Sequence, residues 1–190
     1  MEAFLVSLSS IAVAEMGDRT QLLSLVLAAR FRRPWPIAAG VLCATLASHV
    51  LAGLIGAWFG RQLRPQLLDA AVGLSMIAMS LWTLKPDQLQ SESPQGGNAS
   101  AFAATLVAFF VAEIGDKTQI ATLALAAGYP SLLAVVSGST CGMLAANLPV
   151  IFLGHAFAHR LPLRALHYAA AGLFLLLGLV FIVRALQHWS

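Results

Sequence analysis

The segment EMGDRTQ, residues 15–21, places two acids and an arginine in the middle of a long apolar run. It recurs as EIGDKTQ at residues 113–119, so a shift of 98 positions aligns the two copies. The similarity extends past the motif, because ten of the sixteen positions from 14 to 29 are identical under that shift. One extra residue in the second half then pairs Gly73 with Gly172. The chain therefore contains an internal duplication.

Composition places this duplication in a membrane. The 190 residues are 59% hydrophobic and 10% charged, with a mean hydropathy of +0.82, which is too little polar surface for a soluble globule. Charge-poor stretches recur near the length of about 20 residues that a helix needs to cross the hydrocarbon core. The sequence predicts an all-α integral membrane protein with six transmembrane helices, at 4–29, 35–59, 67–84, 100–127, 131–157 and 165–186.

The duplicated unit contains three of these helices. Because three is odd, consecutive copies must enter the membrane from opposite sides, which gives an inverted-topology repeat like that of many secondary transporters. We expect a first three-helix repeat at 1–84, a polar linker at 85–100 rich in Ser, Gln, Gly and Pro, and a second three-helix repeat at 101–190.

Basic residues outside the motifs predict the orientation. Six lie on one side of the predicted membrane and three on the other, so the richer side is expected to be cytoplasmic and both termini outside. The two sets are Arg30, Arg32, Arg33, Lys85, Arg160 and Arg164, and Arg61, Arg64 and Arg184. The net charge of +3 is spread over the loops without a basic block, which argues against a nucleic-acid partner.

The motif acids should face the interior near the bilayer centre. Glu15 and Glu113 lie close to the middle of their predicted spans. Residues three apart share a helix face, so Asp18 is expected beside Glu15 and Asp116 beside Glu113. The inverted repeat would bring the two pairs together as four metal ligands. The neutral oxygen donors predicted around them are Thr20, Gln21, Thr118 and Gln119.

Charge favours a cation at this site. An ionised group at the bilayer centre costs at least about 2.5–3.5 kcal/mol, so these groups must face inward and be compensated. Arg19 and Lys117 balance two of the four negative charges and leave a formal charge of −2. One divalent cation or two protons would neutralise that remainder. Oxygen donors alone suit hard cations such as Mn²⁺, Ca²⁺ or Mg²⁺, so the pattern favours exchange of such a cation for protons, with no bound cofactor.

A further ionisable residue lies near the middle of a predicted span. His49 is in the middle of the second helix, and its repeat equivalent is Asn147. A proton relay, an additional ligand and an ordinary hydrogen-bonded interior residue are all compatible with that position.

Other interpretations of the motif stay open at this level. Arg19 follows Glu15 by four residues, so each motif could be a structural ion pair within one helix. An intramembrane aspartyl hydrolase would also use mid-membrane acids, but two near-identical motifs do not supply distinct acid and base roles. An exporter of amino acids or other small organic solutes needs groups that bind an anion, whereas this pocket is net acidic. The expectation is a transporter without catalytic residues.

With its duplicated E-x-G-D-[KR]-T motif, the chain resembles the Gdt-one/transmembrane-protein-165 family over nearly its whole length. The resemblance implies a cation/proton antiporter. Compact bacterial members act in manganese efflux, which implies the bacterial plasma membrane, and eukaryotic members serve Golgi Mn²⁺/Ca²⁺ supply. The family's metal-site acids correspond to Glu15, Asp18, Glu113 and Asp116.

Overall fold

The computed structural model describes residues 1–84, 100–153 and 163–188. Every regular element in these ranges is an α-helix. In chain order the helices are α1 (Glu2–Glu15), α2 (Arg19–Phe31), α3 (Pro34–Gln62), α4 (Pro65–Thr83), α5 (Ala101–Glu113), α6 (Lys117–Gly128), α7 (Leu132–Leu153) and α8 (Leu163–Gln187). The predicted linker at 85–100 lies outside these ranges except for its last residue.

Four of the helices are long and apolar enough to cross a membrane. They are α3, α4, α7 and the part of α8 from His167 to Gln187. Pro34 and Pro65 begin α3 and α4, where a missing backbone N–H costs nothing because the first turn has no acceptor for it. These helices coincide with four of the six predicted spans, within a few residues at each described end.

The other two predicted spans are not single helices. The first is divided into α1 and α2, of 14 and 13 residues, and the fourth into α5 and α6, of 13 and 12. Each of these half-helices is shorter than the roughly 20 residues required to cross the hydrocarbon core. The prediction of one continuous helix through each motif is therefore wrong.

Each pair of half-helices runs along the long helix of the other half of the chain. α5 and α6 pack on α3, while α1 and α2 pack on α7. Along α3, Gly40 faces Phe102 and Gly56 faces Leu123, so the contacts advance in the same direction on both segments. α6 thus continues in the direction of α5 and does not fold back on it. The two halves of the chain interlock instead of packing as separate bodies.

The packing repeats under the shift found in the sequence. A Cβ atom added to Gly40 would overlap the carbonyl oxygen of Phe102, and one added to Gly138 would overlap that of Phe4. Gly138 lies 98 positions after Gly40, and Phe4 lies 98 positions before Phe102, so the two contacts are equivalent under the repeat. The long helices α3 and α7 therefore hold the half-helices in matching registers, and this alignment positions the two motifs.

Polar side chains are buried beside the hydrophobic core, and many large apolar side chains are exposed. Many hydroxyl, amide and charged side chains are buried, among them Ser7, Thr45 and Thr122, while large apolar residues such as Trp58 and Leu133 are exposed. A water-soluble protein of this size buries fewer polar groups and exposes fewer large apolar side chains. An apolar outer surface suits lipid, and the buried polar groups provide the surroundings that buried charges require.

Candidate cation site

Each motif interrupts its helix in the same way. α1 ends at Glu15, Gly17 adopts a φ of +84°, and Asp18 caps the first turn of α2. In the second half, Gly115 has a φ of +73° and Asp116 caps α6. Glycine tolerates this left-handed conformation, and aspartate is a favoured N-cap because its carboxylate accepts from a free backbone N–H. The predicted sharing of one helical face by residues three apart is therefore wrong, since the backbone is not helical between them.

The glutamines of the motif hold the breaks in place. The Oε1 atom of Gln21 accepts a hydrogen bond from the N–H of Gly17 at 2.8 Å, and that of Gln119 accepts from Gly115 at 2.9 Å. Their amide nitrogens reach across to the long helices, where Gln21 donates to the Ala146 carbonyl and Gln119 to Ser48 Oγ. The glutamines therefore stabilise the breaks, and their suggested role as oxygen donors to a cation stays a prediction.

Three motif carboxylates converge between the breaks. Glu15, Asp18 and Asp116 each offer an oxygen within 4.8 Å of the others, and all three side chains are buried. The predicted fourth ligand, Glu113, is also buried but lies outside this group. Its Oε1 atom accepts a 2.6 Å hydrogen bond from Thr45 Oγ1. The structure thus brings together three of the four predicted acids, and it does so at the two helix breaks.

The basic residues of the motifs pair across the halves. Arg19 Nη2 lies 2.9 Å from Asp116 Oδ1, and Lys117 Nζ lies 3.2 Å from Asp18 Oδ1. The alternative of an ion pair within each helix, between residues four apart, is wrong because the break lies between its members. The crossed pairs join the N-terminus of α2 to that of α6, and they compensate two buried negative charges as the sequence predicted.

The threonines of the motifs differ from each other. Thr118 Oγ1 donates a 2.9 Å hydrogen bond to Asp116 Oδ2. Thr20 is fully buried, and its Oγ1 atom has no hydrogen-bond partner among the described residues. A buried hydroxyl without a partner is costly, so Thr20 remains a candidate oxygen donor.

His49 is buried on α3. Its Nδ1 atom lies 3.4 Å from Thr140 Oγ1, and its Nε2 atom has no partner among the described residues. The histidine is absent from the group of converging ligand atoms. Its suggested role as a proton relay stays a prediction.

Polar residues on the long helices contact the half-helices, and the sequence did not predict these contacts. Thr45 and Ser48 of α3 bind Glu113 and Gln119, and Asn147 of α7 accepts from Ser24 at 2.6 Å. Their only signal was small polar residues at helical spacing inside an apolar span. That pattern is common at helix contacts in membranes and does not identify a partner.

The chemistry of this arrangement suits a hard cation. The donor atoms are carboxylate oxygens, as preferred by Mn²⁺, Mg²⁺ and Ca²⁺. α1 and α5 end at Glu15 and Glu113, and the C-terminal ends of half-helices coordinate cations in transporters with broken helices. Both oxygens of Glu15 are buried without a hydrogen-bond partner among the described residues. A buried carboxylate in this state calls for a bound cation or a proton.

Comparison with known proteins gives consistent results. The family model described as "Divalent cation/proton antiporter GDT1" matches residues 3–91 and 101–189. A Vibrio cholerae protein named "Putative manganese exporter" is 45% identical over 180 residues, covering 94% of this chain and 90% of that protein. A GDT1-like protein of Synechocystis is 28% identical over 213 residues, covering 100% and 97%. A chloroplastic GDT1-like protein of rice is 38% identical over 85 residues, covering 45% and 25%. No solved structure gives a significant match.

Proposed function

This chain belongs to the family of divalent cation/proton antiporters, and on that premise we propose that it exports Mn²⁺ in exchange for protons. As a member of that family, the protein is a transporter and not an enzyme. The name of the Vibrio cholerae relative supports Mn²⁺ as the cargo. The oxygen donors also suit Ca²⁺, which we propose as a weaker second substrate.

One observation carries the proposal. Three buried carboxylates, from both helix breaks, lie within 4.8 Å of one another. Like charges this close in a low-dielectric interior repel strongly unless a cation or protons neutralise them. The four motif acids and two motif bases carry a formal charge of −2 when all are ionised. One Mn²⁺ or two protons would therefore make the site neutral, whereas the empty ionised site is costly, and this difference couples metal release to proton uptake.

The residues have distinct roles in this exchange. Glu15, Asp18 and Asp116 bind the cation, and protons replace it on the same carboxylates. Arg19 and Lys117 hold the two aspartates in place from opposite halves and keep the net charge small. The glutamine contacts fix the breaks, so the ligands are positioned before the ion arrives.

The membrane arrangement is part of the proposal. Four continuous helices and two broken ones would make six membrane-spanning segments, arranged as inverted repeats at 1–84 and 101–190. The matching contacts of Gly40 and Gly138 support this arrangement. We place the protein in the bacterial inner membrane with both termini outside, following the distribution of Lys and Arg in the loops.

Transport in proteoliposomes tests the function. With an imposed pH gradient, the native protein should move Mn²⁺ and shift protons in the opposite direction. Glu15→Gln and Asp116→Asn should each reduce Mn²⁺ flux by at least about 100-fold, because the loss of a ligand exceeds the 10- to 100-fold effect of changing an outer-shell group. Flux of ⁵⁴Mn and an internal pH dye would be measured on the same vesicles.

Glu2→Gln is the matched control. Glu2 lies on the same helix as Glu15 but has 69% of its side chain exposed, at the far end of α1. The same chemical change there should leave flux unchanged. Normal Mn²⁺ flux in either site variant would remove that residue from the site. Metal transport without any proton movement would reject antiport.

A further inference from the structure

A groove of about 410 Å³ opens on the outer surface between α3 and α7. All the residues that line it are apolar or aromatic, among them Ala39 and Leu42 of α3 and Leu144 and Leu148 of α7. Where α3 begins and α7 ends, the rings of Trp35 and Phe152 meet edge to face, with centroids 5.1 Å apart. An exposed apolar surface of this kind marks a place where another apolar group binds.

Two arginines lie at the same end of this α3–α7 groove. Arg32 and Arg33 connect α2 to α3 just before Trp35, and both are exposed. Neither guanidinium forms an ion pair within the part of the chain that the structure describes. Tryptophan is typical of the lipid headgroup level, and arginine binds phosphate through its planar N–H donors. The groove therefore combines apolar walls with positive charge at its headgroup end.

The internal repeat provides a comparison for this surface. Under the shift of 98 positions, the two arginines correspond to Pro130 and Ser131, and the tryptophan corresponds to a leucine. Val136, the counterpart of Ala38, is buried and lies against Gly53. A larger side chain thus fills, in the second half, the space that an alanine leaves open in the groove. Contact with bulk lipid does not require charge, tryptophan and open space together, so it does not explain why they coincide at this end.

A second copy of the chain is a poorer match than a lipid. It would need an exposed acid to meet the arginines. The described acids outside the two motifs are Glu2 and Asp69, and each already lies 3.8 Å from a basic side chain of α8. A phospholipid supplies an apolar chain and a negative phosphate in one molecule, and basic pockets between membrane helices bind such headgroups.

We propose that the α3–α7 groove binds an anionic phospholipid, with an acyl chain between Leu42 and Leu148 and the phosphate held by Arg32 and Arg33. The helices of the groove are the two that pack against the half-helices, so the lipid braces the framework of the cation site from outside. The proposal goes beyond the proposed function, because it concerns the outer surface and does not depend on which ion is transported.

Quenching of Trp35 fluorescence by brominated lipid tests the proposal. Trp58→Phe, Trp82→Phe and Trp189→Phe together leave Trp35 as the one tryptophan of the chain. In phosphatidylcholine bilayers, brominated phosphatidylglycerol should quench it saturably, with an affinity at least about tenfold above that of brominated phosphatidylcholine, since each arginine near an anionic lipid contributes about fivefold. Equal affinities for the two lipids would overturn the proposal.

The role of charge is tested in the same single-tryptophan background. Arg32→Gln combined with Arg33→Gln should lower the preference for phosphatidylglycerol to less than about threefold. Arg61→Gln combined with Arg64→Gln is the matched control, because it makes the same change in charge at the other end of α3. Quenching in the control should equal that before the substitution. An equal loss in both pairs would assign the preference to overall charge and overturn the site.

The role of the groove is tested by filling it. Ala39→Leu occupies the space for the acyl chain and should abolish the saturable quenching by phosphatidylglycerol. Ala47→Leu is the matched control, since Ala47 is also exposed on α3 but does not line the groove, and it should have no effect. Unchanged quenching in Ala39→Leu would overturn the groove as the binding site. A dimeric mass by light scattering, with no quenching of Trp35 by either lipid, would show instead that a second copy covers the groove.

Discussion

The two halves of the molecule share their scaffold but not the environment of their glutamates. Contacts made among the motif residues recur in both, including the glycine N–H to glutamine hydrogen bonds, at 2.8 and 2.9 Å, and the crossed ion pairs. Contacts made by side chains of the long helices do not recur. Thr45 binds one glutamate where the other half has Met143, and Ser48 is replaced by Ala146, whose backbone carbonyl takes over.

The two halves share the residues that form the helix breaks but differ in the polar side chains that surround the acids. The breaks need a glycine with positive φ, an aspartate cap and a glutamine, and both halves keep all three. The long helices only need to present compatible surfaces, so they have diverged in the polar groups that they direct at the site. A symmetric framework therefore encloses an asymmetric site, in which Glu113 accepts a hydrogen bond from Thr45 and Glu15 has no hydrogen-bond partner among the described residues.

The crossed ion pairs should give the largest effect when broken. Lys117→Ala would leave Asp18 buried without this cation, and removing one partner of a buried pair costs about 3–5 kcal/mol. Arg19→Ala removes the equivalent pair, but the Arg19 side chain is 38% exposed, so solvent screening should reduce the loss to roughly half or less. Thermal unfolding in detergent, followed by intrinsic fluorescence, measures both. Equal losses would mean that the two pairs are energetically equivalent despite their different burial.

The glycines of the breaks should give an intermediate effect. Gly115 has a φ of +73°, and nothing lies within 4 Å of the position of an added Cβ atom, so Gly115→Ala tests backbone strain alone. Left-handed φ costs an L-residue about 1–2 kcal/mol. Gly115→Asn should cost less, because asparagine adopts this conformation more readily. Unfolding temperatures in detergent check the order.

Gly17→Ala extends the same test to the first break. Gly17 has a similar φ of +84°, so the conformational cost should be similar if the two breaks are equivalent. A much larger loss at Gly17 would place an additional constraint, beyond backbone conformation, on the first half. An alanine that costs nothing at either site would show that positive φ does not form the breaks.

Much of this arrangement could be predicted from the sequence. Hydropathy predicted the four long helices, because apolar composition over about 20 residues is a strong signal. The repeat predicted that acids from both halves would meet. The breaks were missed because apolar composition continues on both sides of them, so hydropathy does not register an interruption. The motif itself contained the signal, since glycine followed by aspartate and a helical run is the pattern of a new N-terminus.

The contact between Thr45 and Glu113 could not be predicted from the sequence, for a different reason. Its members are 68 positions apart on separate helices. Periodicity within one segment says which face is buried but not how far two helices slide against each other. That register depends on close packing, here on glycines that let α3 approach α5.

Substitution of His49 also tests the asymmetry between the halves, and it should have the smallest effect on Mn²⁺ binding. It corresponds to Asn147, so His49→Asn makes the halves alike at this position. Because His49 lies outside the group of converging carboxylates, the variant should bind Mn²⁺ with an affinity within about twofold of native, as expected for a change that touches no ligand. Titration of free Mn²⁺ by electron paramagnetic resonance measures this. A loss beyond about tenfold would place the imidazole among the metal's ligands or their direct supports. Unchanged Mn²⁺ binding with slower proton-driven flux would instead assign His49 to proton movement. This role would belong to one half of the protein, because the other half has Asn147 at the equivalent position.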